Sequence, residues 1–211
     1  MRVVTLLIAL SALACRAEGP AEEPEEAPRA RDVSDAHATL SGVLPKATGG
    51  FPSILLLEPL TPIELEAPDG PARLDQYNTD FHPHLLVVRV GQTVEFRNSE
   101  DTLHNVHVID TETRDTAFNV ATPVSGSYDY VFESPAVYDV SCGIHPSMAA
   151  FIIVTEAPVN VTADAAGAYT IESVPFGRYR AVVWNLDPSR RGEYEVDIAQ
   201  PFVEWSPGEL S

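Results

Sequence analysis

Several features that would place this chain in a common functional class are scarce. Only 13 of its 211 residues are Lys or Arg, against 31 Asp or Glu, which gives a formal net charge of −18. Because the phosphate backbone of a nucleic acid needs a basic face, this charge argues against nucleic acid as a partner, and it disfavours an anionic lipid surface for the same reason. Two cysteines are too few for a disulfide framework.

The chain also lacks any long segment with the 3.6-residue period of a helix, and its 18 Pro residues recur too often for helices of useful length. It has instead short segments that are typical of β-strands. Residues 92–97 and 128–132 alternate between two faces, as a strand with one buried face does. Residues 54–57 and 151–154 are apolar throughout, which indicates strands buried on both faces. We therefore predict an all-β protein built from packed sheets.

The first residues predict export. Residues 1–15 combine one Arg with an apolar stretch that is too short to span a bilayer, which is typical of a signal peptide. The sequence Ser11-Ala12-Leu13-Ala14-Cys15 resembles a bacterial lipoprotein cleavage box. That resemblance implies a lipidated Cys15 and a membrane-anchored protein in the periplasm or at the cell surface. The alternative is an ordinary secretory peptide in which Cys15 has no role.

Residues 16–37 predict a disordered acidic tether. Residues 16–35 contain seven acidic residues, three Arg, three Pro and no aromatic residue. Such a segment cannot bury enough apolar surface to offset the entropy lost on ordering. We expect it to separate the anchor from the folded body.

Two places in the sequence carry chemistry. Cys142, His145 and Met148 follow one another at three-residue steps between two predicted strands, and His104 lies in a more distant predicted strand. Met148 is the only methionine besides Met1. A thiolate, two imidazoles and a thioether are the ligand set of a blue-copper electron-transfer centre, because soft sulfur suits Cu(I) and imidazole suits Cu(II).

With these residues in view, residues 72–156 resemble the cupredoxins, most closely the amicyanin and plastocyanin-like group. The segments that carry the resemblance are Phe81-His82-Pro83, residues 90–98, His104-Asn105-Val106-His107 and residues 142–148. The resemblance implies a Greek-key β-sandwich that binds one type 1 copper through His104, Cys142 and His145, with Met148 as the axial ligand. It further implies that Asn105 and Pro146 support the ligands, Asn105 by pinning the cysteine loop.

Other readings of the histidines and the metal remain. Zinc competes for the same residues, since a Cys-His-His set with an open fourth position also binds Zn²⁺, but the thioether favours copper. His107 is expected to point to the face of its strand opposite His104. His82 and His84 flank Pro83, where we favour a solvated loop over a surface metal site. His37 lies in the predicted tether, and nothing in the sequence indicates a role for it in metal binding.

The segments on both sides of the predicted cupredoxin are interpreted together. Residues 157–211 resemble the second half of a carboxypeptidase regulatory-like domain, a prealbumin-type sandwich, and residues 161–171 predict a hairpin with Asp164 and Gly167 in its turn. Residues 38–71 fit the first half of that domain. We therefore predict a smaller sandwich that is split by the inserted cupredoxin. The alternative is that residues 39–66 are additional cupredoxin strands, followed by an unpaired C-terminal module.

These observations predict a protein that is not an enzyme. The sequence contains no glycine-rich phosphate loop and no Gly-x-Ser-x-Gly elbow, and six histidines are too few for the trinuclear cluster of a multicopper oxidase. We expect a carrier of single electrons whose partner is a redox protein such as a cytochrome or a dehydrogenase. Two alternatives stay open: a copper-binding module for metal delivery or sensing, and a structural or adhesion module with a vestigial site.

Overall fold

The computed structural model describes residues 36–46, 51–63, 65, 70–185 and 191–208. All sixteen regular secondary-structure elements in these ranges are β-strands, which confirms the predicted all-β class. No helix in this part of the chain is long and apolar enough to cross a membrane. Cys15, the rest of the predicted signal peptide and residues 16–35 of the predicted tether lie outside the described residues.

The sixteen strands in these ranges form four sheets, which we label A to D. Sheet A contains β1 (His37–Val43), β13 (Ala168–Pro175) and β16 (Phe202–Glu204), with β1 in the centre. Sheet B contains β2 (Ile54–Pro59), β12 (Val159–Thr162), β14 (Gly177–Trp184) and β15 (Gly192–Ile198), in the order β12-β2-β14-β15.

The other two sheets are formed by the middle of the chain. Sheet C contains β5 (Leu85–Arg89), β7 (His104–Asp110), β8 (Thr116–Thr122), β10 (Ala136–Ser141) and β11 (Ala149–Thr155), in the order β5-β11-β10-β7-β8. Sheet D contains β3 (Ala72–Tyr77), β4 (Asp80–His82), β6 (Thr93–Asn98) and β9 (Ser127–Val131), in the order β4-β3-β6-β9.

Three apolar cores show that the sheets stack in the order A, B, C, D. The first core, which includes Leu40 and Tyr179, lies between sheets A and B and makes them the AB sandwich. The last core, which includes Phe96 and Val140, lies between sheets C and D and makes them the CD sandwich. A third core joins Ile54, Leu56 and Val182 of sheet B to Leu85 and Ile153 of sheet C.

The stacking explains the two strands that were predicted to be buried on both faces. In β2, Leu55 and Leu57 face the core of the AB sandwich, while Ile54 and Leu56 face sheet C. In β11, Ile152 faces the core of the CD sandwich and Ile153 faces sheet B. Each strand therefore contributes to two cores at once, which is why its sequence is continuously apolar.

The CD sandwich is formed by one continuous stretch of chain, β3 to β11, and the AB sandwich by strands that come before and after it. β1 pairs with β13 and β16, and β2 pairs with β12 and β14. If the CD sandwich is inserted into the AB sandwich, strands from before and after the insertion must pair in this way. The boundaries of the five predicted segments, and the likeness of the AB sandwich to a carboxypeptidase regulatory-like domain, stay predictions.

Two details of the sequence-based interpretation are wrong. His37, assigned to the tether, is the first residue of β1 and lies opposite Pro175, because the pairing with β13 extends to that position. Residues 161–171 do turn, with the Gly167 N–H donating to the Asp164 carbonyl at 2.9 Å, but they do not form a hairpin. β12 joins sheet B and β13 joins sheet A. Alternation of side chains specifies which face is buried, not which strand is the partner.

The packing of sheet B on sheet C predicts the effect of Ile54→Ala. Ile54 is fully buried in the core between these sheets. Its truncation should lower the free energy of unfolding by about 2–5 kcal/mol, because it leaves a cavity as well as losing apolar burial. Urea denaturation followed by circular dichroism measures this loss. The control Val43→Ala truncates a half-exposed side chain and should change the same free energy by less than about 0.5 kcal/mol; equal effects would contradict the packing.

Candidate metal centre

The candidate metal centre lies at one end of sheet C. Cys142 directly follows β10, and the chain then makes a short loop through His145 and Met148 before β11 begins at Ala149. His104 is the first residue of β7, which is hydrogen-bonded to β10. Two adjacent strands therefore bring together residues that are almost forty positions apart in the sequence.

Three donor atoms converge at this end. The Cys142 Sγ lies 3.9 Å from the His104 Nδ1 and 4.0 Å from the His145 Nδ1, and the two Nδ1 atoms are 2.9 Å apart. The imidazole rings have centroids 4.6 Å apart and are tilted by 56°. Both histidines thus direct the same ring nitrogen toward the cysteine sulfur.

Met148 is fully buried in the core that also contains Cys142. Its N–H donates to the His145 carbonyl at 3.0 Å, which closes the loop as a turn, and its carbonyl accepts from the Cys142 N–H at 3.4 Å. Backbone hydrogen bonds that involve Cys142, His145 and Met148, the three predicted ligands in this loop, therefore close it.

The donors differ in their access to solvent. His104 is 0% exposed and Cys142 is 2% exposed, whereas His145 is only partly buried. The loop residues on either side of His145 are exposed. Of the three donors, His145 is thus the one that lies at the protein surface.

A carboxylate that the sequence interpretation missed orients His104. The Glu100 Oε2 lies 2.6 Å from the His104 Nε2. The Nε2–H therefore donates to this carboxylate, and Nδ1 is left facing the other donors of the centre. Burial alone would raise the pKa of Glu100, but hydrogen bonds from His104 and from the Thr79 and Asn78 backbone, with the charge of His104, outweigh it and leave the pKa lowered. Histidines that bind metals usually have such a partner, which fixes the ring and raises its basicity.

Glu100 is itself held by a strained turn. Its Oε1 accepts from the Thr79 N–H at 3.0 Å. Asn78 and Thr79 form the two-residue turn between β3 and β4, and both have positive φ, 55° and 54°. This is the hairpin turn that usually requires Asn-Gly. A β-branched residue such as Thr79 is rare in that conformation, and residues held in such sparsely populated regions cost roughly 1–3 kcal/mol.

Asn105 holds the loop from the other side. Its Oδ1 accepts from the Gly143 N–H at 2.6 Å, and its Nδ2 donates to the Asn119 Oδ1 at 2.9 Å. This contact joins β7 directly to the residue after Cys142. It is the contact expected of a residue that pins the cysteine loop.

A buried polar network fixes the segment before His104. The Asn98 Nδ2 donates to the carbonyls of Thr102 and Thr122, both at 2.8 Å. The Thr122 hydroxyl donates to the Gln76 Oε1 at 2.6 Å, and the Gln76 Nε2 donates to the Asn105 carbonyl at 3.1 Å. Gln76 and Asn98 are fully buried, so these bonds satisfy groups that would otherwise be costly.

The remaining predicted residues are placed as follows. His107 lies outside the converging group, with its Nε2 3.2 Å from the Thr116 Oγ1. Pro146 is exposed beside His145. His82 and His84 are exposed near the β3–β4 hairpin. One signal could have revealed Glu100: a metal-binding histidine needs a hydrogen-bond acceptor, and the nearest acidic residues before His104 are Glu100 and Asp101.

The donor set fits copper. Metal bonds to nitrogen and sulfur are about 2.0–2.3 Å long, so one ion can touch three donors that are 2.9–4.0 Å apart. A metal ion beside the buried Cys142 sulfur would stabilise its thiolate form, because an isolated buried charge is very costly. Thiolate and imidazole together suit copper in both oxidation states.

Comparisons with known proteins give matches among solved structures. No protein-family model and no curated protein matches the chain. The oxidized state of an amicyanin variant is 27% identical over 43% of this chain and 87% of that protein, with a TM-score of 0.38. A purple cupredoxin from Nitrosopumilus maritimus is 25% identical over 40% of this chain and 99% of that protein, with a TM-score of 0.36.

A Cu-containing nitrite reductase from Thermus scotoductus SA-01 is 28% identical over 48% of this chain and 26% of the enzyme, with a TM-score of 0.39. Each of these three matches covers less than half of this chain. The expectation that this chain is not an enzyme stays a prediction.

Glu100→Gln should weaken copper binding by about 10–100-fold, because His104 loses the charged acceptor that fixes its ring. A competition titration with a copper chelator measures the affinity. Asp101→Asn is the matched control, since it removes the same charge from the next residue, which is exposed. Equal losses in both variants would mean that only net charge matters and would contradict the role given to Glu100.

Proposed function

We propose that this protein carries single electrons through one copper ion held by His104, Cys142 and His145, with Met148 as the axial ligand. The observation that carries the proposal is the convergence of two Nδ1 atoms and one Sγ within 4.8 Å of one another. A copper ion held by such ligands supplies a one-electron couple between Cu(I) and Cu(II).

The protein's part is to hold the donors still and exclude water. β10 ends directly before Cys142, Glu100 fixes the ring of His104, and Asn105 holds the loop at Gly143. The buried side chains of His104 and Met148 close the inner side of the centre to solvent. A site with so little freedom rearranges little when its charge changes, which favours rapid electron exchange.

The surface around His145 is suited to brief contact with another protein. Leu103 and Ile144 precede the two histidines, and Val124 follows β8, whose last residue lies opposite His104. These three apolar side chains are 46–52% exposed. With a net charge of −18, the chain favours a redox partner with a basic face, such as a cytochrome or a dehydrogenase.

The proposal includes export and anchoring. The features that support them are the apolar stretch after Arg2 and the lipoprotein-like box that ends at Cys15. We place the protein in the periplasm or at the cell surface, attached to the membrane through a lipid on Cys15. Mass spectrometry of the protein purified from a bacterial membrane would detect the lipid; an unmodified Cys15, or cleavage elsewhere, would contradict the anchor.

Cys142→Ser should abolish the strong visible absorption of the copper-loaded protein, because an alcohol does not replace the thiolate as a ligand at neutral pH. The absorption spectrum of purified protein with one added equivalent of copper measures this. Ser147→Ala, an exposed position in the same loop, is the control and should keep the band. A band that survives in Cys142→Ser would contradict the assignment, and copper binding without a band in the parent protein would favour metal delivery or sensing.

Electron transfer to a basic cytochrome should slow by about tenfold or more between about 0.01 M and 0.15 M salt, as the screening length falls from roughly 30 Å to 8 Å. Stopped-flow spectroscopy measures the second-order rate constant. Ile144→Ser should lower this constant at every salt concentration, whereas Val43→Ser, at a similarly exposed position in sheet A, should not. Rates that do not depend on salt would remove the electrostatic part of the argument.

A further inference from the structure

The outer face of the β3–β4 hairpin carries a group of polar side chains that the proposed electron transfer does not use. In the register of the hairpin, Asp75 lies opposite His82 and Tyr77 lies opposite Asp80. Residues opposite each other on antiparallel strands point to the same side of the sheet, as do residues two apart on one strand. Asp75, Asp80 and His82 therefore share one face, and His84 follows two residues after His82.

Contacts between these side chains already bring two potential ligands together. The His84 Nε2 lies 2.9 Å from the Asp80 Oδ2. The rings of His82 and His84 have centroids 5.8 Å apart and are tilted by 45°. The side chain of His84 is 55% exposed and that of Asp80 34% exposed, so both can be reached from solvent.

A second observation on the same face is a buried carboxylate oxygen without a partner. The Asp75 Oδ1 is buried and has no hydrogen-bond partner, while the Oδ2 accepts from the Ser99 hydroxyl at 2.8 Å. Arg97, which lies beside Asp75 in the register of sheet D, gives its Nε–H to the Ser99 Oγ. A buried carboxylate oxygen without a partner is unfavourable, and an ion or its bound water is one way to satisfy it.

We propose that Asp80, His82 and His84 form a second metal site for a divalent transition ion such as Zn²⁺, with Asp75 accepting a hydrogen bond from a metal-bound water. Two imidazoles and a carboxylate are ligands that Zn²⁺, Cu²⁺ and Ni²⁺ share. This set of ligands has no sulfur and is open to solvent, whereas His104 and Cys142 of the first centre are buried and include a sulfur ligand.

Forming this site requires a rotation of one side chain. In the described part of the chain, only the donors of His104, Cys142 and His145 all lie within 4.8 Å of one another. The His82 Nε2 is 3.1 Å from the Tyr77 carbonyl, so the ring must leave this oxygen to join His84. His82 is exposed, and exposed side chains change rotamer within nanoseconds. This rotation is therefore fast compared with a titration.

The test is a calorimetric titration of Zn²⁺ into the copper-loaded protein at about 0.15 M salt, which screens diffuse attraction to the acidic surface. The parent protein should bind one further equivalent. His84→Ala and Asp80→Asn should each weaken this binding by about tenfold or more, since each removes one of few ligands. His107→Ala, a histidine on another sheet, is the control and should bind as the parent does.

Two additional measurements make the result decisive. The visible spectrum is followed in the same titration, so that zinc entering the buried centre is counted separately; if no coloured centre forms, the difference between the parent and His84→Ala remains the readout. The ring NMR signals of His82 and His84 should shift on adding zinc while those of His107 do not. Binding that is equal in the parent and in His84→Ala, or that also falls in His107→Ala, would overturn the second site.

Discussion

The packing of sheet B against sheet C is the contact on which the rest of the structure depends. It sets the two sandwiches against each other, and β2 and β11 each contribute to two apolar cores because of it. Strands buried on both faces open to solvent only in the largest unfolding events. β11 begins directly after Met148, so the exit of the metal-binding loop is attached to one of the best protected strands of the molecule.

The entrance to the centre is held in a different way. Apolar packing cannot fix the segment between β6 and β7, because this segment must deliver a polar ring to a buried place. The structure uses directed bonds instead, from Asn98 to Thr102 and Thr122 and from Glu100 to His104. Such a network is stabilising only when every member is satisfied. The strain of the turn at Thr79 is consistent with this, since its amide supplies one of the bonds that hold Glu100.

The sequence predicted those features that depend on local pattern. Alternation in residues 92–97 and the apolar run at residues 54–57 correspond to β6 and β2, and the spacing of Cys142, His145 and Met148 matches one short loop between adjacent strands. Features that depend on distant neighbours were out of reach. The turn at Asn78-Thr79 lacks the glycine that marks such turns, so nothing local indicated that its amide would meet Glu100. The prediction of a hairpin at residues 161–171 was wrong for the same reason, because β12 pairs with β2, about a hundred residues earlier in the chain.

Solvent access separates the two metal sites that we propose for the described part of this chain. Around His104 and Cys142 the chain excludes water and offers sulfur, which would stabilise Cu(I) in the proposed copper centre. Around Asp80 and His84 it supplies oxygen and imidazole in the open, where an ion would keep bound water and exchange readily. The same hairpin serves both places, because the turn that precedes Asp80 also holds Glu100, and Glu100 holds His104. The ring of His104 is thus held partly by an exposed element, and of the three donor residues only His145 is partly exposed.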